Sequence, residues 1–327
     1  MNIFTCTKCN ANLHGFFPNK CNCGFETPII NGIYQFTDDS PISTNDNLQW
    51  LGYEHVGENY EPGYLHNKAG DNIADSDNLV LFLGKGKVVL DIGAGLGVTA
   101  ISYAKSGLNV IAADISQTML EAAHSRAKFH NVNNIVFARM NGYKLTLADN
   151  SVDAVSETDM LHQVNHPELV VAEIKRVLKP DGFFLQGGGT DSLGYTDEQK
   201  TDNAKYNDIL KDITNYYDSQ VLALGYTSPL FSSHQQADNS KTENFTHFKT
   251  IKHTGSYGSN NSKWFLKMGL HKLKTKASGA KQFIPQDIHN TAWANTHEYA
   301  IDKYGEGYEN IYRWFNFRGN IALYTKL

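Results

Sequence analysis

VVLDIGAGLG, residues 88–97, decides how this chain is read. Val88 to Ile92 form a short run, apolar except for Asp91, that ends abruptly in glycine, as a buried strand does. GVTAISYAKSG, residues 97–107, continues with helix-compatible residues and Gly107 as a stop. A strand that turns at once into a helix needs glycine where the backbone bends sharply or meets a ligand closely. Gly93 and Gly95 would offer bare backbone at the carboxyl end of the strand, where open parallel sheets bind their ligands. A tight strand–helix turn with no ligand has the same local pattern. A dinucleotide loop differs in two ways: the spacing here is Gly-x-Gly-x-Gly, and Asp91 precedes the first glycine by two. A carboxylate there repels a pyrophosphate and suits a cationic ammonium group.

Working outward, LNVIAAD (108–114), NIVFARM (134–140), SVDAVSE (151–157) and GFFLQGG (182–188) read as further buried strands. SQTMLEAAHSRAKFHN reads as a helix capped by Ser116, and HPELVVAEIKRVLKPDG as one that starts near Pro167 and stops at Pro180 and Gly182. Strands alternating with helices predict an α/β fold with a mostly parallel sheet covered on both faces. Beyond Gly189 the pattern is weaker. Residues 202–224 and 287–305 read as helices, 227–262 as polar and loop-bearing, and GNIALYTK as a closing strand.

The chain has 327 residues, 41% apolar and 19% charged, with a formal net charge of -5. That charge argues against a whole-surface nucleic-acid binder. No run of about 18 apolar residues spans a membrane, and MNIFTCTKCNAN lacks the features of a secretory signal. A cytoplasmic protein with no membrane partner is expected. Its four cysteines, Cys6, Cys9, Cys21 and Cys23, all fall in the first 23 residues. In a reducing compartment such clustering reads as metal ligation. Four soft sulfurs make a tetrahedral structural zinc site with no open position for catalysis. Four reduced cysteines in a small core, or His14 in place of one ligand, are the alternatives. The division expected is a zinc-ribbon-like module (1–38), a linker with cofactor-covering helices (39–80), and a main domain (81–327) with an insertion at about 195–285.

From Val88 to Gly189 the chain resembles the class I S-adenosylmethionine-dependent methyltransferases of the UbiE-like type. VVLDIGAGLG, VIAADIS, NSVDAVSETDMLHQV and EIKRVLKPDGFFL match that family's motifs in order. The resemblance implies a Rossmann-like sheet of seven strands and a C-terminal lid. It implies that Asp91, Gly93, Ala94 and Gly95 line the cofactor, that Asp114 accepts from both ribose hydroxyls, and that Ile115 and Met119 pack the adenine. Asn141, beside Gly142, stands where the family often has Asp, and its amide oxygen can accept the same hydrogen bond. His162 is the candidate base. Tyr53 and Tyr60 lie where relatives carry a helix over the cofactor. CTKCNANLHGFFPNKCNCGFETPIINGIYQF also resembles the zinc-ribbon proteins that partner tRNA and protein methyltransferases. The leading expectation is methylation of a small-molecule acceptor. An RNA methyltransferase gripping its substrate through the ribbon and the nine lysines of Lys241–Lys281 is the alternative, and a non-catalytic scaffold is the second. The oligomeric state is left open.

Overall fold

The computed structural model describes residues 3–17, 20–37, 53–54, 77–190, 195–227, 234–254, 262–276, 281, 283–315 and 318–327. They form the expected α/β architecture. Five parallel strands make its centre: β3 (Val88–Ile92), β4 (Asn109–Asp114), β5 (Ile135–Arg139), β6 (Val152–Glu157) and β7 (Leu178–Thr190). Antiparallel β11 (Arg318–Lys326) pairs with β7, and β8 (Phe245–Thr254) pairs with β11, completing the seven strands expected. Two more come from the cysteine segment. β1 (Ile29–Ile30) and β2 (Ile33–Gln35) form a hairpin, and β2 lies parallel to β5. The sheet therefore has nine strands, in the order β1-β2-β5-β4-β3-β6-β7-β11-β8.

The strand pleat explains the two cores. Val88, Leu90 and Ile92 point to one face, where they meet Val170, Val171, Ile174 and Val177 of α4 (Pro167–Val177). Val89 points to the other, against α1 (Asp77–Leu83), α2 (Val98–Lys105) and α3 (Gln117–Phe129). α4 has Pro167 in its first turn and passes into β7 directly at Leu178, ahead of the Pro180 stop read from sequence.

Past residue 195 a third core forms. α5 (Asp197–Ala223), α7 (Leu266–Lys274) and α8 (Gln286–Tyr304) pack through Tyr206, Ile213, Tyr217, Leu270 and Ala292. A two-stranded ribbon, β9 (Ser262–Phe265) with β10 (Tyr312–Phe315), joins them. Between these helices α6 (His234–Asn244) and β8 return to the main sheet, in the stretch whose polar composition reads as loop. No helix among the described residues is long and apolar enough to cross a membrane.

Candidate functional site

The loop after β3 is built on positive φ angles: 70° at Gly93, 50° at Gly95 and 73° at Gly97. A Cβ on Gly93 would lie 2.6 Å from Met160, and one on Gly97 2.7 Å from the Ala123 side chain. Both positions thus require glycine twice, for backbone conformation and for space. Ala94 donates its amide to the Ala113 carbonyl at 3.0 Å, closing the loop onto β4.

Asp114, at the end of β4, faces this loop. Its Oδ2 accepts from the Gly95 amide at 2.8 Å and its Oδ1 from the Ser116 amide at 2.9 Å. Burial pushes its carboxyl above the usual range, against the pull of the Ser116 and Gly95 amides. Asp91 lies deeper. Burial raises it to about 7; Ser156 opposes the shift, and the charges of Asp114 and Glu157 add to it. Its Oδ2 has no hydrogen-bond partner among the described residues. A buried carboxylate oxygen without a donor is costly, and a cationic ligand group is one way to satisfy it.

Ile115 is half-buried and its carbonyl accepts from Arg139 Nε at 2.9 Å. Met119 is buried in the first turn of α3, its methyl 3.2 Å from where a Gly95 Cβ would be. Asn141 follows β5, and its Oδ1 accepts from the Tyr143 amide at 3.0 Å. Gly142 would tolerate a Cβ against Ile92 and Val170 at ordinary contact distances. Each of these residues sits at or just past the carboxyl end of β3, β4 or β5.

His162 is half-buried in a single 3-10 turn, Leu161–Gln163. That turn is fixed from two sides. Glu157 Oε1 accepts from the Met160 and Leu161 amides at 2.6 and 3.0 Å. The Tyr53 hydroxyl donates to Gln163 Oε1. Burial, with the charge of Asp114 behind it, pushes Tyr53 up to about 12. Tyr53 is thereby tied to the turn after β6, and Tyr60 lies outside the described residues. Two acids have positions that no motif announced. Glu157 ends β6, and an acid at the carboxyl end of a buried strand was the available signal. Glu54 accepts from the Gln117 and Thr118 amides at 2.7 and 3.1 Å, at the start of α3, with nothing periodic around it to mark it.

The four cysteine sulfurs all lie within 4.8 Å of one another; His14 is not in the group. Cys6 and Cys23 are 3.8 Å apart, and Cys9 and Cys21 3.6 Å. A zinc–sulfur bond of about 2.3 Å gives a tetrahedral edge of about 3.8 Å, so the set fits a tetrahedral ion. None of the four is in a disulfide. The amide of Phe25 draws the Cys23 thiol down, while, against the pull of the Cys23 amide, burial and the neighbouring thiols hold Cys21 up. Among the lysines of 241–281, Lys241 bonds Gln186, Lys281 bonds Asp218, and Lys263 covers the Tyr312 and Trp314 rings. These cations are engaged locally, each by its own partner.

Residues 90–186 match the family described as Methyltransferase domain. Over 100 residues the chain is 40% identical to a demethylmenaquinone methyltransferase of Renibacterium salmoninarum, covering 31% of this chain and 40% of that protein. Over 97 residues it is 35% identical to the ubiquinone/menaquinone biosynthesis C-methyltransferase UbiE of Zymomonas mobilis, covering 30% and 40%. The YcgJ protein of Bacillus subtilis, a solved structure, is 18% identical with a TM-score of 0.42, covering 76% of this chain and 95% of that one. The chain spans about two fifths of the length of the curated relatives it matches.

Proposed function

We propose, from the premise that residues 90–186 belong to the class I S-adenosylmethionine-dependent methyltransferases, that this chain methylates a small-molecule acceptor. The observation that carries the reading is the buried Asp91 oxygen with no partner among the described residues, next to a glycine loop that Asp114 holds in shape. The donor set fits the cofactor. Asp91 would take its ammonium group and Asp114 its ribose hydroxyls. A carboxylate has about four acceptor positions, so Asp114 keeps capacity beyond the Ser116, Gly95 and Ile115 amides it already serves. Ile115 and Met119 would flank the adenine, and the side-chain amide of Asn141 would meet its edge. The bound cofactor supplies an electrophilic methyl group on a sulfonium with a neutral leaving group.

Methyl transfer of this kind demands alignment more than acid–base help. The chain's part is to hold the acceptor in line. The 3-10 turn clamped by Glu157 and Tyr53 supports that role, because it carries His162 two residues after Met160, which packs against Gly93. Where the acceptor carries a proton, His162 is the proposed base. A small acceptor is favoured by the net charge of -5 and by the locally engaged lysines. It is also favoured by the relative whose name specifies a demethylmenaquinone as its acceptor. The four cysteines we read as a structural zinc site, supported by sulfur spacings that match a tetrahedral edge.

The test is titration calorimetry with S-adenosylhomocysteine. The wild-type protein is expected to bind it, and Asp114→Ala to bind about 10- to 100-fold more weakly, since a lost hydrogen bond to a charged group is worth ~1.5–3 kcal/mol. Equal affinity in the two proteins refutes the placement of the cofactor.

A further inference from the structure

The cysteine segment is fastened to the side of the sheet that carries the proposed nucleoside end of the site. Three sets of bonds do this. β2 pairs with β5 at Tyr34–Ala138 and Gln35–Arg139, and the Phe36 amide donates to the Arg139 carbonyl at 3.0 Å, two residues before Asn141. The loop beyond Asn141 is held next: the Thr5 amide donates to the Thr146 carbonyl at 3.1 Å, the Ala148 amide to the Ile3 carbonyl at 2.8 Å, and the Thr146 hydroxyl to the Phe36 carbonyl at 2.9 Å. The β1–β2 turn then grips α3, the helix of Met119. Asn31 donates to Glu121 and Gln35 to Gln117, both at 2.8 Å.

The segment works in two halves. Residues 3–13 hold the 146–148 loop by two backbone bonds, and residues 20–36 hold β5 and α3 and touch that loop once, through Phe36. The close sulfur pairs, Cys6 with Cys23 and Cys9 with Cys21, each join one half to the other. Cys6 and Cys21 are buried in the same core as Phe4, Phe36, Ala138, Met140 and Leu147. An ion shared by the four sulfurs therefore locks together the two arms that frame Ile115, Met119 and Asn141. Asp91, Gly93 and Gly95 belong instead to β3 and its loop, at the centre of the sheet.

We infer that metal bound by the four cysteines and the nucleoside end of the cofactor are thermodynamically linked, each favouring the other's binding through β2, β5 and the 141–148 loop. The inference rests on the cofactor and zinc readings proposed above. Without metal the two arms lose their common ligand and keep only weaker ties, such as the stacking of Phe4 on Phe36, and cofactor binding must then bear part of the cost of ordering the nucleoside wall. The loop keeps other supports, since Arg176 donates to the Leu145 and Leu147 carbonyls at 2.8 and 2.7 Å. Linkage is accordingly partial, about tenfold and well short of abolishing binding.

The experiment is calorimetry of the zinc-loaded and the chelator-stripped full chain with S-adenosylhomocysteine and with adenosine. Both ligands should bind about tenfold more weakly to the stripped protein. Equal affinity for S-adenosylhomocysteine in the two forms overturns the inference while leaving the proposed function intact; no binding by the zinc-loaded form overturns both. A loss confined to S-adenosylhomocysteine, with adenosine unchanged, overturns the assignment to the nucleoside end. If the stripped protein unfolds, reciprocity gives a second measurement on the wild type. Zinc affinity, read by competition with a chelator of known strength, should tighten by the same factor under saturating S-adenosylhomocysteine. Unchanged zinc affinity, or a purified protein that takes up no zinc, overturns the linkage.

Discussion

Asp91 and His289 are both buried ionisable side chains, and they are satisfied in opposite ways. His289, on α8 and facing α5 and α7, has both ring nitrogens engaged: Nδ1 with the Tyr217 hydroxyl at 2.8 Å and Nε2 with the Lys274 carbonyl at 3.0 Å. A carbonyl only accepts, so Nε2 carries the proton and Nδ1 receives the tyrosine's. Burial pushes this ring below its ordinary range, which keeps it neutral. Asp91 has one oxygen with no donor among the described residues, and burial raises its carboxyl to about 7. A closed set of hydrogen bonds stabilises a core, whereas an open one stores a cost that a ligand can relieve. The difference separates a closed structural cluster from one left open to a ligand, and it can be attacked from either side.

The largest effect is expected from Asp91→Asn. Affinity for S-adenosylhomocysteine should fall roughly 100-fold or more, because leaving a buried charge without its partner costs ~3–5 kcal/mol. The same variant should melt higher than wild type at pH 8 without ligand. The sign follows from the raised carboxyl: the folded state holds the proton more tightly than the unfolded one, so stability is fully present below the unfolded value and is lost as pH rises through about 7. Asparagine removes that loss. A variant that binds normally, or melts lower, makes Asp91 an ordinary core residue.

His289→Ala should do the reverse. It strands the Tyr217 hydroxyl and the Lys274 carbonyl and opens a cavity, so stability should drop by ~2–4 kcal/mol in denaturant unfolding. Affinity for S-adenosylhomocysteine should stay within about twofold (additivity of distant sites). Loss of affinity at unchanged stability erases the contrast.

A smaller, graded change comes from pH. If the ammonium group binds only ionised Asp91, a proton competes with it below about 7. Calorimetric affinity should be about tenfold weaker at pH 6 than at pH 8, one pH unit below that midpoint being worth ~1.4 kcal/mol. Asp91→Asn should flatten the profile. A flat wild-type profile shows that the carboxylate does not meet a cation.

The same contrast explains what was legible in the sequence. Motifs carry local backbone demands, so the glycine loop, Asp114 and the Ser116 cap could be read directly, and β3 to β7 announced themselves as apolar runs. β8 did not, because FTHFKTIKHT mixes threonine, lysine and histidine with its apolar residues and lies against β11, outside the apolar centre. The hairpin of β1 and β2 was missed although its signal was present. Asn31-Gly32, both at positive φ and flanked by Ile29-Ile30 and Ile33-Tyr34, is the dipeptide of a two-residue turn. That hairpin is what carries the cysteine segment into the main sheet. Whether a buried polar atom has a partner depends on residues far apart in the chain, such as Tyr217 and His289, or Glu157 and the turn after it. No local pattern encodes such pairings.

The smallest expected effect tests whether the site's scaffold and its binding function come apart on one helix. Ser116 Oγ accepts from the Met119 amide at 3.2 Å, while the Ser116 amide serves Asp114. Ser116→Ala removes the first bond and keeps the second, since only the side chain changes. Losing a cap of this type costs ~1 kcal/mol, or a fall of about 2–4 °C in Tm for a domain of this size. Glu54 still covers the two preceding amides, so the helix start should not unravel. Affinity for S-adenosylhomocysteine should then change less than about twofold, because the Asp114 carboxylate is held by backbone amides. A tenfold loss of affinity with a normal Tm would mean that the cap sets the position of Met119 against the adenine. The start of α3 would then belong to the binding cluster, with the capping bond serving the ligand more than the helix.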